Sequence, residues 1–195
     1  MRVISGRAKG RKLRAVPGDR TRPITDRVKK ALFDILSGDV AGAWFLDLFA
    51  GTGSVGIEAL SRGAEFALFV EKSNTAVRVI HHNLEATQLA EQARVVRADV
   101  FSLLTQPNIE RSPFDLIYVA PPQYKGLWAD TLQVLDANNS QWLSDESLIV
   151  VQIFPKEYEP LTLNNLNMVD RRDYGSTALF FYETFAYAER QVGNK

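Results

Sequence analysis

The sequence predicts an α/β fold in which a mostly parallel sheet is joined by crossover helices and finished by an antiparallel hairpin. Three observations carry this reading. Short apolar runs alternate with helix-period stretches through the middle of the chain. A glycine-rich turn follows the first of those runs, where a parallel sheet presents its carboxyl edge. Finally, two β-rich runs in the last third close around Tyr174-Gly175-Ser176, which reads as a hairpin.

Taken in order, Arg2 to Ser5 and Lys12 to Val16 read as two short strands around a Gly-Arg-Ala-Lys-Gly turn. After Pro23, Thr25 is a good N-cap for a helix whose apolar positions Val28, Ala31, Leu32, Ile35 and Leu36 recur up to Gly38. Strands are then predicted over 44–49, 66–70, 94–96 and 116–119, with helical stretches over 54–62, 74–86, 101–104 and 127–135. Residues 148–154 are strand-like, and 168–173 and 179–185 form the closing hairpin. No internal repeat, low-complexity tract or linker interrupts the pattern. The expected division is a basic β-hairpin appendage over 1–22 and one globular body over 23–195.

Composition limits the chemistry. A chain of 195 residues with 46% apolar and 24% charged residues is ordinary for a globular protein. No apolar run approaches the roughly 20 residues that cross a bilayer. The start, Met-Arg-Val-Ile-Ser-Gly-Arg, lacks the apolar stretch of a secretory signal, so a cytoplasmic location is the default expectation. The absence of cysteine excludes disulfides, a thiol nucleophile and Cys-based zinc sites. His81 and His82 are neighbours on a predicted helix, where side chains point about 100° apart, so no metal is expected.

The zero net charge hides a segregation. Residues 1–30 hold 11 Lys and Arg against 2 acids, and the rest of the chain holds 12 against 21. A block so basic attracts phosphate by counterion release, which makes nucleic acid the leading partner; a solvated basic tail is the alternative. Interleaved Val3, Ile4, Leu13, Val16, Ile24 and Val28 favour a structured appendage over a tail.

The segment Asp47-Leu-Phe-Ala-Gly-Thr-Gly-Ser-Val-Gly56 places Gly51, Gly53 and Gly56 between a predicted strand and a predicted helix. Glycine lets the backbone turn tightly and a ligand approach closely, and the helix start supplies free N–H groups. The spacing alone is also that of a dinucleotide site or a structural turn. The acids narrow it. Asp47 lies four residues before Gly51, Glu71 ends the next strand 20 residues after Gly51, and Asp99 follows the third. Acids at three successive strand ends suit a cationic adenosine ligand better than a pyrophosphate, and S-adenosylmethionine has that character.

Together with Gly10-Arg-Lys-Leu13 and Arg22-Pro-Ile-Thr-Asp-Arg-Val28, the segment from Asp47 to Ala64 resembles the bacterial small-subunit ribosomal RNA guanine-N2 methyltransferases of the RsmD type. The resemblance implies a seven-stranded Rossmann-like sheet, S-adenosylmethionine as methyl donor and a guanine N2 in ribosomal RNA, naked or in the small subunit, as acceptor. Carried over by position, Asp47, Gly51 and Gly53 line the methionine and ribose side, Glu71 the ribose hydroxyls, and Asp99 with Val100 the adenine. Arg7, Lys9, Arg11, Lys12, Arg22, Thr25 and Arg27 then face RNA.

One stretch departs from the family pattern. Members carry Asp or Asn, then Pro-Pro and an aromatic, after the fourth strand; here the residues are Ala120-Pro121-Pro122-Gln123-Tyr124. In that pattern the acid or amide orients the exocyclic amine and the aromatic stacks on the flipped base. Ala120 accepts no side-chain hydrogen bond, which leaves backbone carbonyls to orient the amine. Pro121 and Pro122 still fix the turn, and Tyr124, one residue late, is the candidate stacking face. The rival readings are a ribosomal RNA-binding or assembly factor that has lost catalysis through Ala120, a DNA amine methyltransferase, and a nicotinamide dehydrogenase. The last is disfavoured by Asp47, the Pro-Pro turn and the basic arm. Asp115 reads as a turn-facing residue before the fourth strand. Nothing marks a dimerisation stripe, so a monomer is the default.

Overall fold

In the computed structural model, which describes residues 1–18, 24–105 and 113–185, Thr25 caps the first helix by accepting the Val28 N–H at 3.3 Å. This helix, α1 (Asp26–Ile35), has Asp26 in its first turn, where a negative charge complements the helix dipole, and buries Val28, Lys29, Leu32 and Phe33. The strands β1 (Trp44–Leu48), β2 (Phe66–Glu71) and β3 (Ala93–Arg97) alternate with helices α2 (Ser54–Ser61) and α3 (Asn74–Thr87). They pair in parallel in the order β3-β2-β1, with Asp47 beside Phe69 and Glu71 beside Arg97. β1 and β2 are almost wholly apolar because both faces are covered, whereas β3 is half exposed. These elements belong to a first compact unit, Met1–Val100.

The second unit spans 101–195. The short helix α4 (Val100–Thr105) runs from the end of the first unit into it, followed by β4 (Phe114–Val119), α5 (Leu127–Ala137), α6 (Asn139–Trp142), β5 (Leu143–Ile153), β6 (Leu166–Tyr174) and β7 (Thr177–Thr184). Here the order is β4-β5-β7-β6: β5 is parallel to β4, and β7 runs antiparallel to both its neighbours. The seven strands thus make a mixed sheet, parallel except for the C-terminal hairpin, as expected. Gly175 turns that hairpin at φ +65°. Asp136 on α5 holds the approach to β6 by accepting the Asn164 and Asn165 N–H groups at 2.8 and 2.7 Å.

Two local expectations are corrected. β5 begins five residues early, at Leu143, because Ser144, Asp145 and Glu146 sit on an irregular stretch of the β4–β5 ladder that Ser147 ties down by donating to the Phe114 carbonyl at 2.6 Å. Asp115 lies within β4 rather than before it, and is exposed.

The basic N-terminal segment closes as a hairpin, with Arg2 bridged to Lys12 and the Val3 N–H donating to the Arg11 carbonyl at 3.0 Å. It forms a bridge and not two strands, because its next N–H groups are taken elsewhere. Those of Ile4 and Ser5 donate to the Glu58 carboxylate on α2 at 2.8 and 2.9 Å, and that of Ala8 to Ser61 Oγ at 3.0 Å. Approach is so close at Gly6 that a Cβ there would lie 1.7 Å from the Ser61 carbonyl oxygen. Glu58 is fully buried, with Lys29 Nζ at 3.4 Å and Arg62 Nε at 2.9 Å. Such a charge is tolerable in the interior only because each of its oxygens is satisfied. No helix among the described residues is long and apolar enough to cross a membrane.

Candidate active site

The chain leaves β1 through a tight loop. Phe49, Gly51 and Gly53 all have left-handed backbones, at φ +62°, +55° and +73°, and Gly53 is the N-cap of α2. The Ala50 N–H donates to the Val70 carbonyl at 3.0 Å and the Gly53 N–H to the Ala50 carbonyl at 2.8 Å, which anchors the loop to β2. A Cβ on Gly51 would meet nothing nearer than 3.9 Å, so this side of the loop is open to a ligand. Gly56 does the reverse: a Cβ there would fall 2.4 Å from the Phe69 ring, so glycine lets α2 press directly on β2.

The acids support this loop. Asp47 is 2% exposed, and its Oδ2 accepts the Gly56 N–H at 3.0 Å. Burial pushes its carboxyl up to about 8; the Gly56 N–H opposes the rise and the charge of Glu71 adds to it. Glu71 accepts the Gly51 N–H through Oε2 at 2.9 Å and the Ser73 N–H through Oε1 at 2.7 Å. One carboxylate therefore ties the glycine loop to the N-cap of α3, and each oxygen keeps a lone pair for a hydroxyl donor. Asp99 pairs with Lys72 Nζ at 3.0 Å, and Val100, buried, opens α4.

A further polar residue, not singled out from the sequence, completes the loop. The Asn83 amide is fully buried, donates to the Thr52 carbonyl at 2.9 Å and to the Arg14 carbonyl at 3.1 Å, and accepts the Arg14 N–H at 2.8 Å. Its signal was a polar side chain among Ala76, Val79, Ile80, Leu84 and Thr87 on the buried face of α3. His81 and His82, by contrast, are both exposed.

In the second unit, the loop after β4 carries Ala120 half-buried, Pro121 buried, Pro122 half-buried and Gln123 exposed. Tyr124 adopts φ +59° and is 69% exposed, with its ring centroid 5.8 Å from that of Phe154. Its N–H donates to the Glu157 carboxylate, a residue with no local pattern that would mark it. Among the basic candidates, Arg7, Lys9, Arg11, Lys12 and Arg27 are exposed, while the Thr25 hydroxyl is engaged as the cap of α1. Arg22 lies outside the described residues.

Residues 1–183 match the family model described as Conserved hypothetical protein 95. Over 189 residues the chain is 35% identical to the Ribosomal RNA small subunit methyltransferase D of Escherichia coli K12, covering 97% of this chain and 92% of that protein. The chain belongs to this methyltransferase family. The family's Haemophilus influenzae member is 33% identical over 184 residues, 94% of this chain and 93% of its own. The solved structure of yhhF from Escherichia coli superposes with a TM-score of 0.82 at 36% identity, covering 95% of this chain and 98% of that one. The α/β fold read from the alternation of strands and helices, and the RNA methyltransferase family read from the Asp47–Ala64 segment with the Gly10–Leu13 and Arg22–Val28 motifs, are both borne out.

Proposed function

We propose that this chain transfers a methyl group from S-adenosylmethionine to the exocyclic N2 of a guanine in small-subunit ribosomal RNA, as a cytoplasmic monomer. The observation that carries the reading is the near-full-length similarity to small-subunit ribosomal RNA methyltransferases. The open, carboxylate-braced glycine loop agrees with it. When bound, the donor supplies an already electrophilic methyl on a sulfonium sulfur. The protein's work is therefore placement rather than acid–base chemistry.

In this reading Asp47, Gly51 and Gly53 line the methionine and ribose side, Glu71 takes ribose hydroxyls with its remaining lone pairs, and Asp99 and Val100 border the adenine. Pro121 and Pro122 stiffen the loop after β4. The Ala120 carbonyl accepts from the amine where a side chain does not, and the exposed Tyr124 ring stacks on the base, a contact of about 1–3 kcal/mol. The basic N-terminal segment is the RNA-facing appendage, with Arg7, Lys9, Arg11 and Lys12 of its hairpin and Thr25 and Arg27 at the start of α1 toward the phosphates; the resemblance gives Arg22 the same role.

Ala120 is the observation that favours a second reading, an RNA-binding factor without turnover. Labelled-methyl transfer to unmodified small ribosomal subunits, run with the wild type and Ala120→Asp, separates the two. Transfer by the wild type supports the enzyme. Transfer by Ala120→Asp alone, with donor and RNA bound by both, supports the factor.

A further inference from the structure

Three non-glycine residues among those described have left-handed backbones: Phe49, Gln88 and Tyr124. Gln88 is the C-cap of α3, an ordinary place for this conformation, and Phe49 opens the glycine loop. Tyr124 ends no helix. A bulky side chain at positive φ is strained, so something outside the loop must hold it.

The holding group is Glu157. Its Oε2 accepts the Tyr124 N–H, its Oε1 accepts the Phe154 N–H at 3.3 Å, and its own N–H donates to the Phe154 carbonyl at 2.9 Å. A single carboxylate thus pins the loop after β4 to the residue that follows β5. The pinned loop turns the Tyr124 ring against Phe154 while leaving it 69% exposed. Tyr124 and Glu157 also line one concavity of about 250 Å³ with Gly126, Trp128 and Leu161.

We infer that Glu157 is a positioning residue for the acceptor base: it fixes the left-handed turn at Tyr124 and so aims the ring. The inference rests on the reading of Tyr124 as the stacking face and adds what makes that face usable one residue late, with Gln123 in the usual aromatic position. A carboxylate suits the task because two N–H donors converge on it and both of its oxygens accept. A glutamine would set its own NH2 against one of them.

The test is a double-mutant cycle over Glu157→Ala and Tyr124→Ala, with Glu157→Gln as the milder change. Two quantities are measured for each variant: kcat/KM for methyl transfer to small ribosomal subunits, and affinity for small-subunit RNA. The second gives a cycle independent of turnover. Calorimetry with S-adenosylhomocysteine follows donor binding, and thermal unfolding checks folding. Glu157→Ala is expected to lower kcat/KM by about 10²-fold, as misplacement of a positioning contact does. Glu157→Gln should fall between it and the wild type, and donor affinity should be unchanged. In the Tyr124→Ala background, removing Glu157 should cost less than about twofold more, because its target is already gone. Effects that multiply, or full activity and RNA affinity in Glu157→Ala, overturn the role of Glu157 alone. Unimpaired Tyr124→Ala overturns the stacking reading on which it rests.

Discussion

Asp47 carries a carboxyl that burial raises to about 8 from an ordinary value of 3.8, and this has a defined consequence for stability. Between those values the folded chain binds a proton that the unfolded chain has released, so the stability contributed by Asp47 falls as pH rises from about 4 to about 8 and is level above that. Chemical denaturation across pH 4–9 should show this decline, and Asp47→Asn, which retains an acceptor for the Gly56 N–H, should flatten it; an unchanged pH slope in the variant would contradict the assignment. Glu58 makes the complementary case. Its removal leaves Lys29 buried without its anion and frees the N–H groups of Ile4 and Ser5. Glu58→Ala is expected to lose about 3–5 kcal/mol of stability, measured by urea unfolding, and a loss below 1 kcal/mol would show that the pair contributes little.

At the scale of elements, the helices and inner strands were legible because each buries one periodic face or a short apolar run between turn signals. Ser54 to Ser61 and Phe66 to Glu71 are such cases: the helix ends one residue before the expected range and the strand one residue after it. The early start of β5 was not legible, since Ser144, Asp145 and Glu146 look like a loop until Ser147 ties them to Phe114. Nor was the loss of a ladder in the N-terminal hairpin, which depends on a carboxylate more than 50 residues away. In the candidate site, the glycines and acids at strand ends follow from spacing, whereas Glu157 and Asn83 act across 33 and 69 residues, with no local pattern to mark those contacts. Because Asn83 ties the hairpin at Arg14 to the glycine loop at Thr52, Asn83→Leu is expected to weaken S-adenosylhomocysteine binding roughly tenfold, on the scale of leaving one or two buried partners unsatisfied. Calorimetry checks it, and wild-type affinity would dismiss the link.

For the whole molecule, the chain concentrates cation in its first 30 residues and anion in the remainder. Under the proposed function this polarity sets how the chain meets RNA, with the hairpin's exposed Arg7, Lys9, Arg11 and Lys12 toward phosphate. Replacing Lys9 and Lys12 by glutamine should weaken binding to small-subunit RNA and lower the slope of log affinity against log salt by about 1 for each. An unchanged slope would move the RNA off this face. Whether this chain methylates a guanine amine with alanine at position 120 is decided by the identity of the product. Small ribosomal subunits labelled with the wild-type protein and S-adenosylmethionine are digested to nucleosides and the labelled species is identified. N2-methylguanosine is the expected labelled nucleoside. Label in any other nucleoside, or none from a protein that binds both donor and RNA, would contradict it.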